Sequence, residues 1–293
     1  MSGSRGGGSG TPESPKSPEK CLSSFTNPTL DALARSRPRS LDEAQRDLDR
    51  AIAIARLAER ELSDFIYTVT HDLKAPLRSV LTYADFLSED LAGRLSGDAL
   101  LFLERLRVNA GQASDQLMSL LELSRIGRWR HPFEMIELTH LVRSVATRFA
   151  SRFAEQGIEC EIADDLPHIS GELARVEQLF EIVIHNACLY RREYGGFVRV
   201  SAAPPESPGE SPVVKVADDG IGIPGDRLEK IFSAFCRLHP GEFEGLGMGL
   251  TLARRIMAYH GGEIWVESRI GEGTTTHLVF REPDDNALGA GES

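Results

Sequence analysis

Three groups of residues have the types and spacing for chemistry. The first is a histidine followed by a carboxylate, His71-Asp72, in the run THDLKAPLR at 70–78. Asp72 can take the imidazole proton and orient the ring, which leaves the other nitrogen as a nucleophile. The second is Asp218-Asp219-Gly220-Ile221-Gly222-Ile223, directly after an apolar run. Glycine lets the backbone approach a flat ligand, and a buried carboxylate can accept an exocyclic amine. The third is Gly245-Leu246-Gly247-Met248-Gly249-Leu250, which opens a helical pattern. Free N–H groups and the dipole at such a helix start suit a phosphate. Met248-Gly249 after Gly247 breaks GxGxxG, which disfavours a dinucleotide fold, and a Walker lysine motif is absent.

The histidine lies on a long helical pattern. Leu48, Ile52, Ala55, Glu59, Leu62, Ile66, Val69, Leu73, Pro76, Val80, Ala84, Leu87 and Leu91 step by fours and threes, with one slip at Val80–Ala84. That is a heptad seam, with Glu59 as its one charged member. His71 lies off the seam and should face solvent. Pro76 lacks the N–H that would bond the Asp72 carbonyl, so the helix should bend or loosen just after His71. Gly93 and Gly97 can turn the chain within Ala92–Gly97, and Ser96 or Asp98 can cap the next helix. That helix carries Leu100, Leu103, Leu106, Ala110, Ala113, Leu117, Leu120 and Ser124 and stops near Gly127. The pattern predicts an antiparallel hairpin over 41–127. One hairpin cannot cover both apolar stripes, so a second copy should complete a four-helix bundle, making a homodimer. A plain coiled-coil spacer would show the same seam; an exposed imidazole beside a carboxylate at a helix flaw argues against it.

Residues 132–283 change character. Phe133–Leu138 reads as a strand, Thr139–Ala154 as a helix, Ile158–Ile162 as a strand and Glu172–Arg191 as a long helix. Phe197–Ala203 and Val213–Ala217 alternate as a strand pair joined by the proline-rich loop Pro204–Pro212. Arg227–Ile231 and Leu250–His260 read as helices, and Glu263–Ser268 with Thr274–Phe280 as a hairpin over the turn Ile270–Gly273. The predicted fold class is α plus α/β: the helical hairpin, then an α/β sandwich with one sheet covered on one face by helices.

Composition bounds the rest. A chain of 293 residues, 41% hydrophobic and 26% charged, allows two domains with buried cores. A net charge of −11 disfavours nucleic acid and anionic lipid as partners. No apolar run approaches the ~18 residues of a membrane helix, and the first residues lack the apolar core of a signal peptide. Cys21, Cys160, Cys188 and Cys236 show no CxxC spacing, which gives no zinc ribbon or disulfide framework and fits a reducing cytoplasm. Residues 1–40 hold six basic and three acidic side chains, a net of +3 that leaves −14 for 41–293. Rich in Gly, Ser and Pro, this leader is expected to be disordered, and the tail 284–293 flexible.

Taken in order, these residues resemble the two-component sensor histidine kinases. THDLKAPLR looks like the phospho-accepting histidine box, and His185-Asn186-Ala187 like the asparagine box. Asp218–Ile223 resembles the adenine-binding glycine box, and Ile231–Phe235 the phenylalanine box. Gly245–Leu250 is similar to the second glycine box, and Gly271-Glu272-Gly273-Thr274-Thr275 to the last. The resemblance covers roughly 45–281, and HDLKAPLR with CRLHP is similar to the phytochrome-type subgroup.

The resemblance implies that His71 attacks the γ-phosphate of ATP through Nε2, with Asp72 as the adjacent acid–base residue. Asn186 would ligate Mg²⁺ and Asp218 would hold the adenine amine. Gly220 and Gly222 would shape the adenine pocket; Gly245, Gly247 and Gly249 would cradle phosphates and hinge a lid over about Cys236–Glu244. Tyr190, Ile223, Met248, Leu250 and Thr275 complete the implied nucleotide-binding set. The implied protein is a cytoplasmic homodimer without nucleic acid or membrane insertion. It would take input from an upstream sensor polypeptide and pass the phosphoryl group to the receiver aspartate of a separate response regulator. Three positions depart from the family pattern. Ile182 and Asp219 stand where asparagine is usual, and Leu189 where lysine is usual. Arg191, Arg192, Arg237 and His239 are the candidates to compensate. The departures keep open a catalytically weak dimeric signalling adaptor. A serine kinase or gyrase-like ATPase on the same ATP fold is a further alternative, which would not need the His71 hairpin.

Overall fold

The computed structural model describes residues 41–128, 131–191, 195–204, 211–239, 243 and 245–281; the expected leader and tail lie outside them. The chain divides into two units between Leu62 and Ser63. In the first, the described residues 41–62 are helical throughout. The second holds the rest of the hairpin and the α/β portion.

The hairpin consists of α1 (Leu41–Asp90) and α2 (Asp98–Arg125). Helix α1 runs through Pro76 without interruption, because one missing ladder bond does not break a helix packed against a neighbour. Gly93 and Gly97 turn the chain at φ 73° and 62°. The cap position of α2 falls to Gly97 with no side-chain bond, not to Ser96 or Asp98. Arg107 pairs with Asp85 at 2.9 Å, and Arg128 with Asp64 at 3.0 Å while lying over the Tyr67 ring. Both pairs fit one antiparallel register, which sets His71 level with Leu121.

The buried stripe of α1 meets the expected seam only at Ile66 and Ala84. Within residues 63–90, Ser63, Ile66, Tyr67, Thr70, Lys74, Leu77, Leu81, Ala84 and Ser88 are the buried or half-buried positions; Ile66 and Ala84 belong to the expected seam and the others lie one helical row away. Thr70, Ala84 and Ala110 are buried. Val69, Leu73, Val80 and Leu87, the strongest seam residues, stay exposed within one chain. One row of α1 thus closes the hairpin, while Val69, Leu73, Val80 and Leu87 of the other stay exposed.

In the α/β portion, β1 (Glu134–Glu137) pairs antiparallel with β3 (His168–Gly171). The expected helix at 139–154 is two, α3 (Leu138–Arg148) and α4 (Ala150–Gln156). Phe149 breaks them: its N–H turns back to Ala146 in a tighter bond, at φ −97° and ψ 1°. There follow β2 (Ile158–Ile162), α5 (Leu173–Leu189), β4 (Gly196–Ala203), β5 (Val213–Asp218), α6 (Gly249–Tyr259), β6 (Glu263–Arg269) and β7 (Gly273–Val279). In place of the helix expected at 227–231 stand two 3-10 turns, Gly225–Arg227 and Lys230–Phe232. The strand order is β2-β4-β5-β7-β6, with only β2–β4 parallel. Val198, Val200, Val214, Val216 and Leu278 on one sheet face meet Val176, Phe180 and Ile184 of α5 and Ile256 and Met257 of α6. Ile126, just past α2, is buried in that same core. Among the described residues no helix is long and apolar enough to cross a membrane.

Candidate functional site

A cavity of about 320 Å³ opens between the C-terminal half of α5, the loop after β5, the segment before α6 and strand β7. Its polar anchor is Asp218. The Oδ1 atom accepts the Gly220 N–H at 2.8 Å and the Thr274 N–H at 3.2 Å. That leaves Oδ2 as the oxygen for a ligand amine. Burial is the main cause that pushes the Asp218 carboxyl up to about 6; the two N–H bonds oppose it and Asp219 adds to it.

The glycine loop after β5 is strapped in place. The Ile221 N–H donates to the Tyr190 carbonyl at 2.9 Å, and the Gly271 N–H to the Ile221 carbonyl at 2.8 Å. A Cβ on Gly222, at φ +75°, would overlap the Arg269 carbonyl oxygen. Glycine at that position therefore sets how close the two loops come. At the other end of the cavity lies the N-terminus of α6. Asn186 and Ile182 stand side by side there, both within 4 Å of where a Gly249 Cβ would sit.

Of the expected site residues, Asn186, Tyr190, Asp218, Gly222, Ile223, Gly245, Gly247, Met248, Gly249 and Leu250 all line this one cavity. Gly220 and Thr275 do not. Gly220 is turned under the wall, where a Cβ would meet the Tyr190 carbonyl. Thr275 alternates to the opposite face of β7 while Thr274 and Thr276 face inward. His71 and Asp72 stand apart on α1. Both side chains are 72% exposed, and His71 Nδ1 lies 3.2 Å from Asp72 Oδ1. A carboxylate only accepts, so Nδ1 carries the proton and Nε2 is the free nitrogen.

The departures now have physical surroundings. Asp219 is turned away from the cavity: its Oδ1 accepts the Phe197 N–H at 2.9 Å, tying the start of β4 to the glycine loop. Leu189 does line the cavity. Of its candidate substitutes, Arg191 lines a neighbouring pocket, Arg237 donates to the Phe243 carbonyl, and Arg192 lies outside the described residues. His239 does line the cavity. So does His185, held below the ordinary imidazole range by burial, with Arg152 adding to that and Glu181 opposing. Ser119 of α2 also reaches the wall, which no sequence signal indicated. Among the described residues no group of three or more His, Cys, Asp or Glu gathers to hold a metal.

Comparison with known proteins follows the same two-part layout. Residues 61–129 match the His Kinase A (phospho-acceptor) domain, and 171–284 the Histidine kinase-, DNA gyrase B-, and HSP90-like ATPase. Cyanobacterial phytochrome B of Nostoc sp. is 34% identical over 230 residues, 77% of this chain and 30% of that protein. Methanogenesis regulatory histidine kinase FilI of Methanothrix harundinacea is 33% identical over 254 residues, 86% of this chain and 28% of that protein. The chain thus spans under a third of the length of these two relatives. Full-length ShkA in complex with AMPPNP shares the fold at a TM-score of 0.55 and 24% identity, over 75% of this chain and 47% of that one. With the phospho-acceptor hairpin and the ATPase domain matched in order, the chain belongs to the two-component sensor histidine kinases.

Proposed function

We propose that the chain is an ATP-dependent protein-histidine kinase that phosphorylates His71 and passes the phosphoryl group to an aspartate of a separate response regulator. The observation that carries this reading is the pairing of an exposed His71–Asp72 dyad with a cavity whose half-buried Asp218 keeps one oxygen for a ligand. The cavity fits ATP: tight glycine backbone at one end suits a flat base, and the α6 N-terminus at the other suits phosphates. Asn186 would contribute the side-chain ligand to Mg²⁺, an ion that usually keeps several waters and draws most other ligands from the phosphates.

ATP supplies the activated γ-phosphoryl group. His71 presents the Nε2 lone pair, which forms the N–P bond as the bond to the β–γ bridging oxygen breaks. The electron pair of that bond leaves on ADP. Asp72, against Nδ1–H, offsets the positive charge that develops on the ring. Asp218 and the glycine loop orient the nucleotide, because this chemistry depends on placement more than on covalent help. The reading includes a homodimer formed through residues 41–127, with the exposed row Val69, Leu73, Val80 and Leu87 as its seam. It divides the chain at 1–40, 41–127, 132–283 and 284–293, and takes input from an upstream sensor polypeptide.

Incubation with γ-labelled ATP and Mg²⁺ tests the reading. Acid-labile, base-stable label should appear on the wild type and vanish in His71→Gln, with nucleotide binding kept. Label retained in that variant would remove His71 from the mechanism. A weak adaptor is the second reading. Its support is Ile182, an apolar side chain beside Asn186 where a second polar group would face the phosphates.

A further inference from the structure

We propose that a second pocket, behind the wall formed by Leu189 and Ile221, binds a small hydroxylated phosphomonoester, of the sugar-phosphate or polyol-phosphate class. The pocket is separate from the nucleotide cavity, and its ligand does not depend on the kinase reading.

Arg152 and Gln156 of α4, Cys188 and Leu189 of α5, Arg191 and Ile221 line this pocket. Of its lining residues, only Leu189 and Ile221 also line the nucleotide cavity. Arg152 and Gln156 stand one turn apart on the same face of α4, and Arg191 follows the end of α5. All three side chains are half-buried. Among the described residues no carboxylate lines the pocket. Arg191 is not without another partner, but a guanidinium has five N–H donors and can serve two acceptors. Both positive charges act on the Cys188 thiol, which burial pushes up to about 11 and which they draw down.

Arginines near helix ends can simply offset helix dipoles, and Gln156 and Leu189 are the last residues of α4 and α5. Each end carries at most about half a negative charge. Much of that is already met, because the Gly195 N–H donates to the Gln156 carbonyl at 2.9 Å and the Ile221 N–H to the Tyr190 carbonyl at 2.9 Å. Two full positive charges outweigh the remainder, so the pocket favours an anion, and guanidinium forks fit phosphate oxygens. Gln156 adds a second requirement. Its Oε1 is buried and has no donor among the described residues. An unpaired amide oxygen is costly, and the last torsion of glutamine is broad enough to turn it to a bound O–H. A volume of about 540 Å³ lies in the range of small-molecule sites and exceeds what a bare ion fills. Phosphate on the two arginines, a hydroxyl on Gln156 and carbon against Leu189 and Ile221 describe one ligand class.

The test is calorimetric titration of the full chain, at constant ionic strength, with glycerol 3-phosphate, n-propyl phosphate and inorganic phosphate. Glycerol 3-phosphate should bind roughly 2- to 10-fold more tightly than propyl phosphate, which lacks the hydroxyls. Gln156→Met should erase that difference. Arg152→Met should weaken both esters about 10-fold, with the fold checked by circular dichroism. Glycerol 3-phosphate should still bind when a fluorescent ATP analogue saturates the nucleotide cavity. No binding of either ester, displacement by the ATP analogue, or inorganic phosphate bound as tightly as glycerol 3-phosphate would each overturn the proposal. If Arg152→Met does not fold, the wild-type comparison of the two esters, with and without the analogue, decides alone. A chain that binds no ATP analogue would sink the kinase reading and leave this pocket to be judged by the ester titrations.

Discussion

Asp218→Asn should stabilise the nucleotide-free chain while destroying its affinity for nucleotide. The carboxyl is pushed from an ordinary 3.8 up to about 6, chiefly by burial. At about 1.36 kcal/mol per pH unit, that corresponds to ~3 kcal/mol of folding free energy withheld at neutral pH. The sign follows from the raised value. Below pH 4 the group is protonated folded and unfolded, and no penalty exists. Between pH 4 and 6 the unfolded chain ionises first, so stability falls as pH rises. Above about pH 6 the penalty is complete. Asparagine keeps an Oδ1 acceptor for the Gly220 and Thr274 N–H groups and carries no charge to desolvate. Its NH₂ group, however, meets the ligand amine donor to donor, at a cost of roughly 1.5–3 kcal/mol. Urea unfolding at pH 7.5 and pH 4 should show a gain of up to ~3 kcal/mol at the higher pH and almost none at the lower. Titration with a fluorescent ATP analogue should show at least a tenfold loss. A variant less stable at pH 7.5, or a gain that does not depend on pH, would refute the burial argument.

Further outcomes follow from the same geometry. Gly222→Ala must place a Cβ against the Arg269 carbonyl at φ +75° and should cost at least ~1–3 kcal/mol with loss of nucleotide binding. Gly225→Ala meets nothing within 4 Å, so its melting temperature should match the wild type. Leu189→Lys should tighten ATP binding by roughly one to two factors of ten, since Leu189 lines the cavity while Arg191 lines the neighbouring pocket and Arg237 donates to the Phe243 carbonyl; an unchanged dissociation constant would mean that the missing lysine has no energetic consequence. Val80→Glu, on the exposed row of α1, should leave helicity intact but convert a dimer to a monomer in light scattering, whereas Ala84→Leu, at a closely packed hairpin position, should lower the melting temperature through overpacking worth about 1–3 kcal/mol.

The sequence by itself determined the order of the parts. Periodicity in fours and threes marked both hairpin helices, and Gly93 and Gly97 marked the turn, because these features depend on local backbone preference and helix geometry. The two glycine groups carry eight of the ten expected residues that line the cavity, since close backbone approach demands glycine wherever it occurs; Asn186 and Tyr190 came with the family resemblance. Tertiary structure decided the rest. Two rows of α1 look equally helical in sequence, and only the packing of α2 selects Thr70, Leu77 and Ala84 for the hairpin and leaves Val69, Leu73 and Val80 open. Strand β3 has just four residues, without apolar alternation, and exists because β1 offers it a ladder. Asp219 could be judged only once its carboxylate was seen on the Phe197 N–H. Thr275 fell outside the cavity because strand alternation turns it from the wall, which depends on the register of β7 against β5. Ser119 reaches the cavity from α2, a contact between distant segments that no local pattern encodes. Burial, and with it the raised Asp218 carboxyl, depends on atoms brought together from across the chain, so its magnitude belongs to the fold and not to any motif.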